Sequence, residues 1–167
     1  MTTVTLQGNA IRISGELPAV GSPAPDFRLI DRELNERSLA DFAGRRKVLN
    51  IVPSLDTPVC ARQARRFNEK AAALDNTAVL VVSADLPFAQ ARFCETEGIE
   101  HLTVLSTVRS RDFGHAWGVL LEEGPLAGIC ARAVVVVDEN DTVRHAQLVS
   151  EIADEPDYEA ALESLRR

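Results

Sequence analysis

The residues of this chain best suited to covalent chemistry are its three cysteines, Cys60, Cys94 and Cys130. A thiolate is a strong nucleophile that can be oxidised, whereas a thiol enclosed in an apolar core is inert. Three cysteines are odd in number and too few for a disulfide scaffold in a chain of 167 residues. The surroundings of each cysteine therefore decide whether it is a nucleophile, a metal ligand or part of the core.

Cys60 lies at the start of a predicted helix. The segment Pro53-Ser-Leu-Asp-Thr-Pro-Val-Cys60 joins a predicted buried strand at residues 47–52 to a predicted helix at residues 57–74. In the first turn of a helix, free backbone N–H groups and the positive end of the helix dipole stabilise an anion. The position predicts a reactive thiolate at Cys60, and the alternative is a buried structural thiol.

Thr57 precedes Cys60 by three residues, at the position where a Cys-x-x-Cys redox pair would have its first cysteine. The Thr57 hydroxyl can cap the helix, or it can turn toward the sulfur and a substrate. Disulfide exchange between two neighbouring cysteines is therefore excluded. The pattern leaves a single nucleophile with a hydrogen-bonding neighbour.

Apolar periodicity predicts the strands and helices that would position Cys60. A short hairpin at residues 3–14, with Gly8-Asn9 as its turn, precedes a proline-rich segment at residues 18–25. The remaining strands are expected at residues 26–30, 47–52, 77–83, 102–106, 131–138 and 142–150. Helices are expected at residues 38–42 (a single turn), 57–74, 87–97, 109–117 and 157–167.

Repeated strand–helix units with near-continuous apolar strands predict an α/β protein, in which helices flank a central mixed sheet. This is the layout of a thioredoxin-like fold. We expect one domain over residues 1–167, with the hairpin at residues 1–17 and the core at residues 18–167. Ligands of such sheets gather at the carboxyl ends of the strands, and the segment that carries Cys60 lies at such an end.

Composition and charge exclude several classes of function. Hydrophobic residues make up 46% and charged residues 26% of the chain, as in globular rather than disordered proteins. A net charge of −7 is the wrong sign for a nucleic-acid partner.

No apolar run approaches the ~20 residues that span a membrane. The chain start lacks a basic segment followed by an apolar one, so we expect the cytoplasm. The histidines lack metal-site spacing to the cysteines, so no metal is expected.

Several segments of the chain resemble the peroxiredoxins. Pro53-x-x-x-Thr57-x-x-Cys60 resembles their active-site signature, and Gly21-x-x-Ala-Pro-Asp-Phe27 resembles the segment that opens their main domain. Four segments resemble the thiol peroxidase subfamily in particular: the N-terminal hairpin, residues 83–90, Arg92-Phe-Cys94 and residues 131–141. The resemblance covers essentially the whole chain.

The resemblance implies roles for five residues. Cys60 would be the peroxidatic cysteine, whose thiolate attacks a hydroperoxide and becomes a sulfenic acid. Thr57 would hydrogen-bond the peroxide, and Pro53 would shield the sulfur from bulk water. Arg132 would stabilise the thiolate and the charge that develops on the peroxide oxygen. Cys94 would be the resolving cysteine and would form an intramolecular disulfide with Cys60.

The resemblance also implies the partners of the chain. They are a hydroperoxide substrate, either hydrogen peroxide or an organic hydroperoxide, thioredoxin as the reductant, and a second copy in a homodimer. No cofactor is implied. The expected activity is thus a thioredoxin-dependent peroxidase that serves antioxidant defence. The alternative from another class of function is a non-catalytic binding module on a thioredoxin-like fold.

The residue pattern alone leaves alternatives open for three residues. Cys94 follows Phe88 and Ala91 at helical spacing, so it could simply belong to the core. Arg132 could reach water from the end of its strand. Cys130 has no counterpart in the resemblance. If the strand already runs at Cys130, its side chain points to the same side as that of Arg132, but an incidental core residue is the favoured interpretation.

Replacing Cys60 by serine should abolish peroxidase activity, because a hydroxyl is a far poorer nucleophile than a thiolate at neutral pH. Steady-state turnover of hydrogen peroxide measures the effect, and Cys130→Ser is the matched control that should keep its activity. Turnover that survives in Cys60→Ser would show that another residue is the nucleophile.

Overall fold

The structure is a computed structural model, and it describes residues 2–71, 73–110 and 112–166. The elements in chain order are β1 (Thr3–Leu6), β2 (Asn9–Arg12), β3 (Arg28–Ile30), β4 (Glu36–Ser38), a 3-10 helix (Leu39–Phe42), β5 (Arg46–Ile51), α1 (Pro58–Ala71), β6 (Thr77–Ser83), α2 (Pro87–Glu97), β7 (Leu102–Ser106), α3 (Asp112–Ala116), β8 (Ala133–Val137), β9 (Val143–Leu148) and α4 (Tyr158–Ser164).

Within the described residues, seven strands form one mixed sheet in the order β4-β3-β7-β6-β5-β8-β9. The three central strands β5, β6 and β7 are parallel, and the flanking strands pair antiparallel. Because β6 and β8 are composed almost entirely of valine, leucine and alanine, both of their faces are buried between layers. The predicted α/β fold with a mixed sheet and an N-terminal β-hairpin is confirmed.

Helices cover both faces of the sheet, as the alternation of buried side chains requires. Leu49 and Ile51 of β5 face a core with Phe113 and Trp117 of the α3 region. Val48, the residue before Leu49 in β5, faces the opposite core, which lies under α1 and α4. The sheet is thus the common wall of two apolar layers. Within the described ranges, no helix is long and apolar enough to cross a membrane.

The turn of the N-terminal hairpin is one residue earlier than predicted. Leu6 pairs with Asn9, so the two-residue loop is Gln7-Gly8 rather than Gly8-Asn9. Gln7 and Gly8 both have positive φ angles, 51° and 84°, as the tight turns of two-residue hairpins require. Val4 packs in an apolar cluster beside the main sheet, so the hairpin closes one end of it.

Two differences from the predicted elements have local causes. The strand expected from residue 131 begins at Ala133, because residues 130 and 131 bond instead to the segment at residues 119–120. Strand β4 was not predicted, since its three residues carry no apolar alternation. It forms because Asp31 accepts backbone N–H groups of Glu33 and Asn35, which tightens the turn after β3.

The topology brings two loops to one edge of the sheet. Strands β5 and β6 are parallel neighbours, with Ile51 paired to Val82, so both end at the same edge. The loop at residues 52–57 leaves β5 toward α1, and the loop at residues 84–86 leaves β6 toward α2. This edge therefore positions the start of α1, where Cys60 lies, beside the start of α2, the helix that carries Cys94 further along.

Candidate active site

Cys60 occupies the third residue of α1 and is fully buried. Pro58 is the first residue of the helix, a position at which a missing N–H costs nothing. The first helical hydrogen bond runs from the Ala61 N–H to the Thr57 carbonyl at 3.0 Å. The backbone N–H groups of the first turn thus surround Cys60 with the positive end of the helix dipole, as predicted.

Thr57 is exposed at the mouth of this turn. Its Oγ1 donates a hydrogen bond to the Ser54 carbonyl oxygen at 3.0 Å, so the side chain is held by the loop that precedes α1. With its hydrogen committed to Ser54, the hydroxyl keeps its lone pairs for an incoming donor. Pro53 is buried where the chain leaves β5.

Arg132 is buried, with 2% of its surface exposed, and its partners are neutral. Its Nε donates to the Ile152 carbonyl oxygen and its Nη1 to Gln63 Oε1, both at 2.8 Å. None of the ion pairs among the described residues includes Arg132. A buried guanidinium with only neutral partners stabilises any anion placed next to it. The alternative that Arg132 reaches water is wrong.

Gln63 connects Arg132 to the helix of Cys60, and the sequence analysis missed it. It follows Cys60 by three residues on α1, a spacing that places two side chains about 5–6 Å apart on one face. Gln63 is fully buried, and its amide also donates to Asn50 of β5. A polar asparagine inside the apolar segment Lys47–Val52 was the signal that a buried hydrogen-bond network passes here.

Cys94 is buried in the same apolar cluster as Cys60, together with Val52, Ala64 and Val81. Both thiols are free. Burial raises the pKa of the Cys94 thiol, the nearby Arg32 guanidinium lowers it, and the carboxylate of Glu95 raises it further. At neutral pH Cys94 is therefore an uncharged thiol, which suits a group packed among apolar side chains.

Cys130 lies apart from these residues. It belongs to the core on the other face of the sheet, together with Phe113 and Trp117, and burial raises its pKa to about 12. Arg132 extends instead toward α1. The two side chains would point to one side only if the strand already ran at Cys130; β8 begins at Ala133, so that condition is not met and strand alternation does not apply there. The structure supports Cys130 as an incidental core residue.

A cleft of about 860 Å³ opens beside Thr57. The loop before α1 contributes Leu55 to its wall, and α2 contributes Arg92 and Phe93. At the entry to α2, Leu86 and Phe88 are the exposed apolar residues of the rim, with 53% and 67% of their surface accessible. The cleft is thus mostly apolar, and it reaches Thr57 from the side on which both cysteine-bearing helices begin.

Asp85 holds the two loops at this edge together, and the sequence analysis did not single it out. Its carboxylate accepts hydrogen bonds from the Ser54 hydroxyl at 2.7 Å and from the Leu55 N–H at 2.8 Å. The available signal was its position just after β6, the parallel neighbour of the strand that precedes Pro53. Over the residues that the structure describes, no cluster of histidine, cysteine and acidic side chains could hold a metal ion.

Known proteins resemble the chain over nearly its full length. Residues 19–162 match the family model described as Redoxin. The chain is 54% identical over 165 residues to a thiol peroxidase of Corynebacterium glutamicum, and the match covers 99% of each chain. A peroxiredoxin-like protein from Aquifex aeolicus superimposes with a TM-score of 0.92 at 42% identity, covering 98% of this chain and 96% of that one.

A thiol peroxidase from Chromobacterium violaceum also superimposes with a TM-score of 0.92, at 25% identity and over 98% of this chain and 95% of that one. The chain therefore belongs to the redoxin family, and within it to the thiol peroxidase subfamily of the peroxiredoxins. The predicted peroxidase, an oxidoreductase, is confirmed by these relatives.

The isolated thiol of Cys130 should be unreactive in the native protein, because burial raises its pKa to about 12 and keeps reagents out. In a variant with Cys60→Ser and Cys94→Ser, iodoacetamide at pH about 8 should leave Cys130 unmodified, whereas addition of urea should permit complete alkylation. Mass spectrometry counts the modified thiols. Rapid alkylation without urea would show that Cys130 is accessible and ionised.

Proposed function

We propose that the chain reduces hydrogen peroxide and organic hydroperoxides, with Cys60 as the peroxidatic cysteine, Cys94 as the resolving cysteine and thioredoxin as the reductant. Proteins named thiol peroxidase and peroxiredoxin-like support the reaction class. The single observation that carries the proposal is the buried charge of Arg132, whose hydrogen-bond partners among the described residues are neutral, and which contacts α1 at Gln63, one turn after Cys60.

In the first step, the Cys60 thiolate attacks the distal oxygen of the hydroperoxide. An S–O bond forms as the O–O bond breaks, so the sulfur is oxidised to a sulfenic acid. The leaving oxygen takes a proton and departs as an alcohol or as water. The N-terminal end of α1 stabilises the attacking thiolate, and the guanidinium of Arg132 stabilises the charge that develops on the leaving oxygen.

Thr57 and Pro53 prepare the site for this step. The lone pairs of the Thr57 hydroxyl accept the O–H of a hydroperoxide, because its own hydrogen is donated to Ser54. This bond would hold the O–O axis in line with the sulfur, which is the geometry that displacement needs. Pro53 has no N–H and is buried, so it keeps water away from one side of the sulfur.

In the second step, the Cys94 sulfur attacks the sulfur of the Cys60 sulfenic acid. An S–S bond forms as the S–O bond of the sulfenic acid breaks, and the hydroxyl leaves as water with the proton of the Cys94 thiol. The two cysteines share an apolar cluster but lie on different helices. A disulfide needs Cα atoms within about 7 Å and suitably directed Cβ atoms. We assign this approach to local unwinding around Cys94 and in the first turn of α1.

Thioredoxin completes the cycle by donating two electrons through its dithiol, which restores both thiols and leaves thioredoxin oxidised. This reductant requires a reducing compartment, which agrees with the cytoplasm as the place of action.

We extend the proposal to a homodimer, in which a second copy would cover the exposed Leu86 and Phe88. The same proposal treats residues 1–17 as an appendage to the core at residues 18–167.

Arg132→Met should slow the reaction of Cys60 with hydrogen peroxide by about 10²-fold, as expected when a preorganised donor to a developing negative charge is removed. Arg132→Lys, the matched control, keeps the charge and should lose less. Stopped-flow consumption of peroxide measures the rate, and urea unfolding checks that both variants are folded. An unchanged rate in Arg132→Met would remove this residue from the site.

Cys94→Ser should leave the first turnover intact but block recycling by thioredoxin, because the sulfenic acid then finds no partner thiol. Rapid-mix peroxide consumption and coupled turnover with thioredoxin and its reductase separate the two steps.

In the unmodified chain, the amides of residues 88–97 should exchange faster in the disulfide form than in the reduced form. Equal protection in both forms, with the disulfide verified by mass, would contradict the unwinding.

A further inference from the structure

The carboxylate of Asp85 accepts three hydrogen bonds at the meeting point of two loops. Oδ1 accepts the Ser54 hydroxyl, and Oδ2 accepts both the Leu55 N–H and the Ser83 hydroxyl, at distances of 2.7 to 2.8 Å. The Asp85 carbonyl oxygen accepts the Ser106 hydroxyl at 2.6 Å. One residue therefore fastens the loop before α1 to the ends of β6 and β7.

On one side, these contacts lead to the side chain that would orient the peroxide. The carboxylate holds Ser54 and Leu55, and the Ser54 carbonyl oxygen in turn accepts the Thr57 hydroxyl at 3.0 Å. The Ser54 hydroxyl also accepts the Asp56 N–H at 3.1 Å. The position of Thr57 relative to Cys60 is therefore set by a loop whose hydrogen bonds converge on Asp85.

On the other side, the contacts lead into the helix of Cys94. The Ser83 hydroxyl, which donates to Asp85, accepts the side-chain amide of Gln90 at 3.0 Å. Gln90 is fully buried in α2 and donates to the Leu105 carbonyl oxygen as well, at 2.9 Å. Because Gln90 precedes Cys94 by four residues, the anchored turn is the one directly before the turn of Cys94.

We infer that Asp85 is a positioning residue of the peroxidase: its carboxylate holds the loop at residues 53–57 in the geometry that orients Thr57, and fastens that loop to the start of α2. This inference rests on the proposed function. Asp85 touches neither sulfur in this arrangement; it acts through Ser54 and Leu55. While the turn around Cys94 opens, the bonds through Asp85 keep the starts of the two cysteine-bearing helices attached to one edge of the sheet.

A positioning residue is needed because the displacement reaction tolerates only a small misalignment of the peroxide oxygen and the sulfur. Peroxide attack needs the reacting oxygen about 3–3.5 Å from the sulfur and in line with it, and a shift near 1 Å costs up to about 10²-fold in rate. Among the described residues, the loop at residues 53–57 forms no strand or helix pairing, so its position is set by its side-chain hydrogen bonds together with the packing of Leu55 in the cluster of Cys60. Charge-assisted bonds to a carboxylate are the strongest of these.

Asp85→Asn is the variant that tests the inference, in a Cys94→Ser background that isolates the first turnover. The amide keeps one oxygen but turns an NH₂ group toward the Ser54 or Leu55 donor. The second-order rate of peroxide reduction should fall by at least about tenfold. The rate of alkylation of Cys60 by iodoacetamide, which needs the thiolate but not Thr57, should not fall.

Two further variants provide the controls. Asp138, just after β8, has a comparable carboxylate, which accepts hydrogen bonds from two backbone N–H groups and from the side chain of Arg144. Asp138→Asn should lower stability without slowing peroxide reduction. Ser54→Ala removes one of the three donors to Asp85 and should slow peroxide reduction by a smaller factor. Combined with Asp85→Asn, it should add no further loss, as expected for two groups in one interaction.

The outcomes separate the inference from the proposed function. A peroxide rate within about twofold of the background protein in Asp85→Asn, or an equal fall in both rates, would overturn the positioning role. If Asp85→Asn lacks the native circular dichroism spectrum, Ser54→Ala decides by the same two rates. A background protein that does not consume peroxide at all would contradict the proposed function, whatever Asp85 does.

Discussion

A buried guanidinium that has no carboxylate partner among the described residues is the constraint on which the site depends. Arg132 is held by Gln63 and by a backbone carbonyl, both neutral, so its charge remains available. Burying such a charge costs several kcal/mol unless a neighbouring anion compensates it. Each strong hydrogen bond between the two would contribute about 1–3 kcal/mol. A thiolate at Cys60, one turn away on α1, is the group that would supply this compensation.

The fold meets this constraint by bringing three separate chain segments to one edge of a rigid sheet. The pairing of β5 with β8 places Ala133 opposite Ile51, so Arg132 arrives beside the strand that leads to Cys60. The parallel pairing of β5 with β6 brings Asp85 to the same edge. None of these segments is near another in sequence, so the site exists only while the central strands keep their register.

The two cysteines impose opposite demands on the same apolar cluster. In the reduced form, burial of both sulfurs stabilises the packing of α1 and α2 against the sheet. A disulfide between residues on two helices requires part of that packing to be given up. In the proposed mechanism, a helix anchored at Gln90 and ended by Gly98 would open at the intervening turn without detaching from the sheet. In the proposed mechanism, stability and turnover would therefore be set by the same contacts.

The sequence by itself determined most of the elements and the position of the proposed nucleophile, because these depend on local periodicity and on a short motif. Strands β6 and β7 and helix α2 have the predicted bounds, and Cys60 is at the predicted helix start. Only the tertiary structure decided that Arg132 is buried beside Gln63, that Asp85 joins two loops, and that Cys130 lies on the opposite face. These facts depend on strand order and register, which long-range packing selects and which no local pattern encodes.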